Sequence, residues 1–274
     1  KHGNVSRRGV IPTFSDLEVI ALSLTAEAFG YDSENNLFKR LAESPEHIPT
    51  LYPEDIQRPS QTHGLFAEDI RRDIAKSIDG GENVFVIDSK PVKVCQLARA
   101  KRCVMGNDNP QSAPSKGFCA SQQMYYYGYK LHAICGISGV IHSYDITAAN
   151  VHDIHYLDDA KWDYHDCLML GDKGYLSAEV QQDLFETAHI KLEVPYRLNQ
   201  KIGEILRGLT GVFRKRIETV FSQLNYQFMM VRNYAKQTGG LFTRTAAKIA
   251  AMTVLQYINF CNHRKIGLVK DALF

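Results

Sequence analysis

Leu17, Ile20, Ala21, Leu24 and Ala28 recur at helical spacing and give the front of the chain one apolar face. Ser15-Asp16-Leu17-Glu18 just ahead of them is a capping box, so a helix is expected to start there. Phe29-Gly30-Tyr31 breaks it. A second short helix is expected around Asn36–Glu43, and an irregular stretch, Pro45–Pro59, follows. Leu65, Ile70, Ile74 and Ile78 predict a third helix over Leu65–Ile78. After Gly80-Gly81 the rhythm changes. Val84-Phe85-Val86-Ile87 is a short apolar, β-prone run that reads as a buried strand, and it ends in Asp88. Residues 95–123 show no clean period and read as a long loop, a kind that is uncommon in compact domains unless functional or disordered. Tyr125–Cys135, the turn Gly136–Gly139 and Val140–Thr147 predict an antiparallel hairpin paired with the first strand.

A helix is expected from Asn150 to Ala160, with Asp153 as its cap. Cys167–Leu170 repeats the earlier trick, an apolar strand running through Gly171 into Asp172. Ser177 caps a helix to Thr187, and Ile190–Val194 is a further strand. A basic connector with Gly203, Gly208 and Gly211 then leads to a helix over Val212–Met230, whose core face is Ile217, Val220, Phe221, Leu224 and Phe228. Leu241–Phe260 is the last helix. From residue 81 on the order is β-β-β-α-β-α-β, the pattern of an α/β protein with a mixed sheet. The expected organisation is a helical segment over 1–80, serving as a cap or a DNA-binding module, a catalytic domain over 81–235 and a C-terminal helix over 236–274.

Carboxylates at the ends of buried strands are there for a reason other than packing, because a buried strand has no use for a charge. Asp88 and Asp172 are such groups, and Glu218 sits beside the apolar stripe of its helix. Mg²⁺ and Mn²⁺ take hard oxygen ligands from carboxylates, water and phosphate. Two such ions about 3.5–4 Å apart clamp the attacking and leaving oxygens at phosphorus. In that arrangement Asp88 would bridge the pair, and Asp172 and Glu218 would each hold one ion. Arg214, one turn before Glu218, can also form an intrahelical ion pair with it, worth a few tenths of a kcal/mol, about 0.2–0.5.

With 274 residues the chain can bury a sizeable core. Six cysteines in a chain this long suggest reduced thiols and a cytoplasmic setting, and the spacing of Cys95, Cys103 and Cys119 does not suit zinc. No apolar run is long enough to span a membrane. The chain opens at Lys1 rather than at a methionine, so further sequence is expected ahead of it. A net charge of +2 hides an uneven distribution. Between Arg197 and Lys248 the only acids are Glu204 and Glu218, while Arg214, Lys215 and Arg216 stand together. Lys130 and Lys173 flank the strand ends. Basic blocks near a carboxylate cradle favour a polyanion. The front segment is acidic, which favours the cap over the DNA-binding module. Tyr125, Tyr126, Tyr127 and Tyr129 could stack on bases or pack a sheet face.

Ile87-Asp88-Ser89, Tyr127–His132, Thr147–Asp153, Gly171–Tyr175 and Arg214–Leu224, in that order, resemble a bacterial insertion-sequence DDE transposase, most nearly the insertion sequence 982 family, which is related in pattern to the insertion sequence 4 and 5 groups. The resemblance implies a ribonuclease-H-like fold and two Mg²⁺ ions, replaceable by Mn²⁺, on Asp88, Asp172 and Glu218. It also implies a nucleoid-associated protein that binds terminal inverted repeats as an oligomer, expected to be a dimer, cuts the element ends and joins the freed 3′-hydroxyl to target DNA. Some relatives carry Tyr three residues before the Arg and Lys seven after the Glu; those positions here are Gly211 and Asn225. Two other readings have the same residues in view: a remnant that binds ends without cutting, and a ribonuclease-H-like nuclease that cuts without joining.

Overall fold

The computed structural model describes residues 3–4, 14–31, 33–43, 61–107, 109–194, 204–232 and 234–273. The Pro45–Pro59 stretch and the connector positions Arg197, Lys201 and Gly203 lie outside them. Helices α1 (Asp16–Ala28), α2 (Glu34–Ala42) and α3 (Gln61–Asp79) lead into strand β1 (Val84–Cys95). Strands β2 (Ser115–Cys119), β3 (Met124–Gly136) and β4 (Ile141–Ala148) follow, then helix α4 (His155–Asp163), β5 (Leu168–Leu170), α5 (Ala178–Ala188) and β6 (Lys191–Glu193). Two long helices, α6 (Glu204–Tyr226) and α7 (Thr238–Cys261), complete the chain.

The capping box forms: Ser15 Oγ accepts from the Glu18 amide, and Glu18 closes back on the Ser15 amide at 2.7 Å. The strands make one sheet in the order β2-β3-β1-β5-β6, and β4 also pairs β3. β1 runs antiparallel to β3 from Phe85–Gly136 to Cys95–Tyr127 and parallel to β5 from Val84–Leu168 to Val86–Leu170. β2 and β4 share the outer edge of β3, one pairing its first part and the other its second. A mixed sheet, antiparallel on one side of β1 and parallel on the other with helices against it, is the ribonuclease-H-like architecture.

Side chains alternate across the sheet, and two cores result. On one face Val86, Leu131, Ala133 and Cys135 pack against Ile217, Val220, Phe221 and Leu224 of α6 and Leu241, Ile249 and Met252 of α7. On the other, Phe85, Ile87 and Ile134 meet Leu157 and Ala160 of α4 and Leu184 and Ala188 of α5. Tyr126 and Tyr129 are buried in packing, whereas Tyr125 is exposed beside Phe118, with Lys116 4.3 Å over its ring.

Three expectations need correction. β1 does not stop at Asp88 but runs seven residues further, paired with β3 alone. The long loop contains a strand, β2, and two short 3₁₀ turns, Leu97–Arg102 and Pro110–Ser112. The last basic helix begins at Glu204, so Gly208 and Gly211 lie inside it, at a cost of about 1 kcal/mol each relative to alanine.

The front helices are joined to the rest by charge as well as by packing. α1 and α3 lie against α7, and α3 also meets β4. Arg71, almost wholly buried, holds Glu68 with a two-pronged contact at 2.8 and 2.6 Å and donates to the carbonyls of Ile141 and His142 at the start of β4. Glu27 on α1 pairs with Lys248 of α7, and Arg244 approaches it at 3.6 Å. Burial alone would push Glu68 up, but the hydrogen bonds and charge of Arg71, with Arg72 and Tyr144, outweigh it and hold its carboxyl below 4.5. A carboxyl whose folded pKa is depressed adds stability that is complete above its unfolded value and is lost as pH falls through the folded one. Stability measured by urea unfolding is therefore expected to drop as pH is lowered below about 4.5, and Glu68→Gln is expected to remove part of that slope.

Candidate active site

Asp88 stands on β1 two residues beyond Val86, where the parallel ladder with β5 ends. Asp172 follows β5 after Gly171, so the same ladder brings the two carboxylates to one end of the parallel strands. Ligands of open α/β sheets gather at such strand ends. The Ser89 amide donates to Asp88 Oδ1 at 2.8 Å, and the Gly174 amide donates to Asp172 Oδ1 at 2.6 Å. Asp88 is pushed up to about 7, first by burial, against the pull of the Ser89 amide, then by the charge of Asp172; Arg214 lowers it and Asp153 raises it.

A third aspartate belongs to this place. Asp153 is not the cap of α4, which starts at His155 behind Ile154 with no side-chain cap. Its Oδ1 instead accepts from Ser89 Oγ at 3.0 Å and Lys130 Nζ at 2.8 Å. Gly174 lies between it and Asp172: a methyl there would come within 2.9 Å of Asp172 Oδ1 and 3.2 Å of Asp153 Oδ2. His132, fully buried, shares Nε2 with Thr147 Oγ1 at 2.8 Å and turns Nδ1 toward Asp153 at 3.9 Å. Burial pushes the imidazole down to about 4, so it is neutral at pH 7. Tyr175 is also wholly buried, and burial together with the charges of Asp153, Asp88 and Asp172 drives its phenol well above the usual tyrosine value.

Glu218 is placed differently. Its helix, α6, covers the sheet face that carries Val86 and, by alternation, Asp88. Its side chain is 58% exposed and the carboxylate meets Arg214 at 3.9 Å. Among the described residues no three histidine, cysteine or acidic side chains converge tightly enough to enclose a cation as they stand. The pair Asp88 and Asp172 nevertheless suits a hard divalent ion, since both groups offer oxygen and the burial of Asp88 among like charges calls for positive charge.

The expected cations divide into two groups. Lys173, Lys215 and Arg216 are exposed, and Arg214 is half-buried within electrostatic reach of Asp88. Lys130 is engaged with Val151 O and Asp153, both at 2.8 Å, and is mostly covered. Lys90, by contrast with an exposed base, is buried with its ammonium on Asn225 and near the Phe221 ring, and burial lowers it to about 7.

The transposase DDE domain model matches residues 79–254, well over half of the chain and every element named above from β1 to α6. The chain belongs to the transposase DDE domain family. No curated protein matches it. Among solved structures this DDE domain chain is similar to one described as "Mos1 transposase paired-end complex with left transposon end", at 12% identity over 84% of this chain and 83% of that one, with a TM-score of 0.23. Ser89, His132, Asp153 and Tyr175 are the site residues that the sequence did not single out. Their signal lay in the same short segments that carry the family likeness, where Asp153 was read as a cap because an aspartate ahead of a helix so often is one. No helix of the described residues is long and apolar enough to cross a membrane.

Proposed function

We propose that the chain is a DNA transposase of an insertion sequence, similar to the insertion sequence 982 group, that cleaves the ends of its element and joins the 3′-hydroxyl to target DNA. The observation that carries the reading is the meeting of Asp88 and Asp172 at one end of the β1–β5 ladder within a transposase DDE domain. Mg²⁺ or Mn²⁺, when bound, supplies charge stabilisation at the phosphoryl oxygens and a water or hydroxyl of lowered pKa. Asp88 and Asp172 hold the ions. Glu218, on a helix beside them, is the third acid of the triad. Arg214 offsets the negative charge at Asp88 and meets the phosphate, while Lys173, Lys215 and Arg216 bind the backbone. Double-stranded DNA, as terminal inverted repeats and as target, is the partner, and two copies of the chain bring two ends together. The segment 1–80 acts as a cap over the catalytic domain, 81–235, and the packing of its helices α1 and α3 on α7, within 236–274, supports that reading.

The test is incubation of the chain with inverted-repeat ends, a target plasmid and Mg²⁺ or Mn²⁺. Cut ends and joined products are expected together. Cutting without joining would make the protein a nuclease, and binding without cutting would make it a remnant. End affinity should also fall steeply with salt, by about 0.9 in log–log slope for each phosphate neutralised; a flat response in a gel-shift titration would remove the role given to the basic residues.

A further inference from the structure

Tyr129, Leu131 and Ala133 of β3 alternate on the sheet face that α6 and α7 cover, and Asp88 pairs with Ala133. Tyr129 Oη lies 3.1 Å from Oγ1 of Thr238, the first residue of α7. Beyond Tyr129 the same face opens: Tyr127 is half-buried and Tyr125 is exposed. The register sets Phe118 opposite Tyr125 and Lys116 opposite Tyr127, so both rise on this face, and both are exposed. The Phe118 and Tyr125 rings lie 5.0 Å apart, and the Lys116 ammonium stands 4.3 Å over the Tyr125 ring. Cys95, opposite Tyr127 on its other side, lines an open pocket of about 490 Å³. The lining is apolar except for three exposed cations, Arg99 and Arg102 from the 3₁₀ turn and Lys236 just ahead of α7. Among the described residues no acid lines it. Between Ser89 and Lys130 the chain sets seven bases against Asp108 alone.

Exposed aromatics scattered singly need no explanation. Here two stand together beside a cationic pocket. A duplex shows its phosphates and hides its bases, so it would use the cations and leave the rings idle. A strand released from pairing shows both, and its bases stack on aromatic side chains while its phosphates meet cations. Lys116, on a flexible stem, can leave the Tyr125 ring to an entering base and turn to the phosphate beside it.

We propose that this end of the sheet, from the pocket to the β2–β3 hairpin, binds single-stranded DNA, with Phe118 and Tyr125 as the stacking platform and Arg99, Arg102, Lys116 and Lys236 on the phosphates. This builds on the reading that DNA is the partner and gives a place to a strand unpaired at a cut end. Counted along β3 from Ala133 to Tyr127, the surface begins about 20 Å from Asp88, so changing it leaves the carboxylates alone.

The experiment is titration of the full chain with a labelled oligodeoxythymidine in a metal chelator, read by fluorescence anisotropy. Phe118→Ala with Tyr125→Ala is expected to weaken binding about 5–150-fold, the loss of one stacked base. Tyr125→Phe should bind as the parent does, and a duplex of the same length should not feel the double change. Arg99→Gln, Arg102→Gln and Lys236→Gln should each lower the log–log salt slope by about 0.7, one phosphate contact apiece. These exposed positions read the surface independently should the double aromatic variant not fold. Oligothymidine affinity unmoved by the aromatic change, an equal loss on the duplex, or a salt slope unchanged in all three cation variants overturns the proposal. Cutting of inverted-repeat ends is scored on the same preparations. A parent that binds oligothymidine through these residues yet never cuts keeps this surface and loses the transposase reading; one that cuts but ignores oligothymidine does the reverse.

Discussion

Asp88→Asn and Asp172→Asn are each expected to lower cleavage of an inverted-repeat end about 10³-fold, since a positioned divalent ion supplies several kcal/mol and each 1.4 kcal/mol is a factor of ten. Binding of the uncut end, read by gel shift, is expected to persist or tighten, because the change removes a negative charge from beside the phosphates. Asparagine keeps the shape of the side chain, so the fold is not at issue. Asp88 is half-buried with Asp172 and Asp153 as like-charged neighbours, and its charge is held at a cost that the Ser89 amide and Arg214 offset only in part. In a metal chelator the Asp88→Asn protein should therefore melt no lower than the parent. A variant that keeps cutting at the parental rate would take that aspartate out of the mechanism.

The largest effect on stability is expected at Arg71. The guanidinium is buried, holds Glu68 on two prongs, serves the carbonyls of Ile141 and His142, and lies 5.4 Å over the Tyr144 ring. Removing it leaves the buried Ile141 carbonyl without its partner, opens a cavity and leaves Glu68 to Arg72 and Tyr144 alone, so Arg71→Ala is expected to cost about 3–5 kcal/mol in urea unfolding. That is a large part of the 5–15 kcal/mol that holds a typical domain together, on the order of a third. Arg71→Lys cannot reproduce the fork and should recover only part of the loss. Arg71→Met together with Glu68→Gln should be milder than Arg71→Ala alone, because no charge is left uncompensated. A loss below about 1 kcal/mol for Arg71→Ala, the range of an exposed pair, would show that the contact between α3 and β4 does not depend on it.

The strands and helices that were legible in the sequence are those whose partners are apolar. Val84–Ile87 and Cys167–Leu170 read as buried strands because little but packing acts on them, and the stripe from Ile217 to Phe228 reads as a helix for the same reason. The second half of β1 was not legible. Ser89, Lys90, Pro91 and Lys93 look like a loop, but Lys90 is buried on Asn225 and Phe221, groups far away in sequence. Pro91 is tolerated there because β1 has a neighbour on one side only at that point. Glycine misled in the other direction, since Gly208 and Gly211 suggested a break inside what is helix α6. The site shows the same division. Asp88 and Asp172 announced themselves as charges at the ends of apolar runs. Asp153 did not, because its partners Ser89 and Lys130 lie 64 and 23 residues away along the chain.

The brevity of β5 has a consequence of its own. With only three residues it zips to β1 as far as Val86 and then lets go, so from Asp88 onward that flank of the central strand has no ladder partner. A β5 two residues longer would carry the ladder past Asp88 and draw the aspartates into the paired part of the sheet. The short ladder thus sets where the two carboxylates leave the sheet, and insertions after Leu170 should be among the least tolerated changes in the chain.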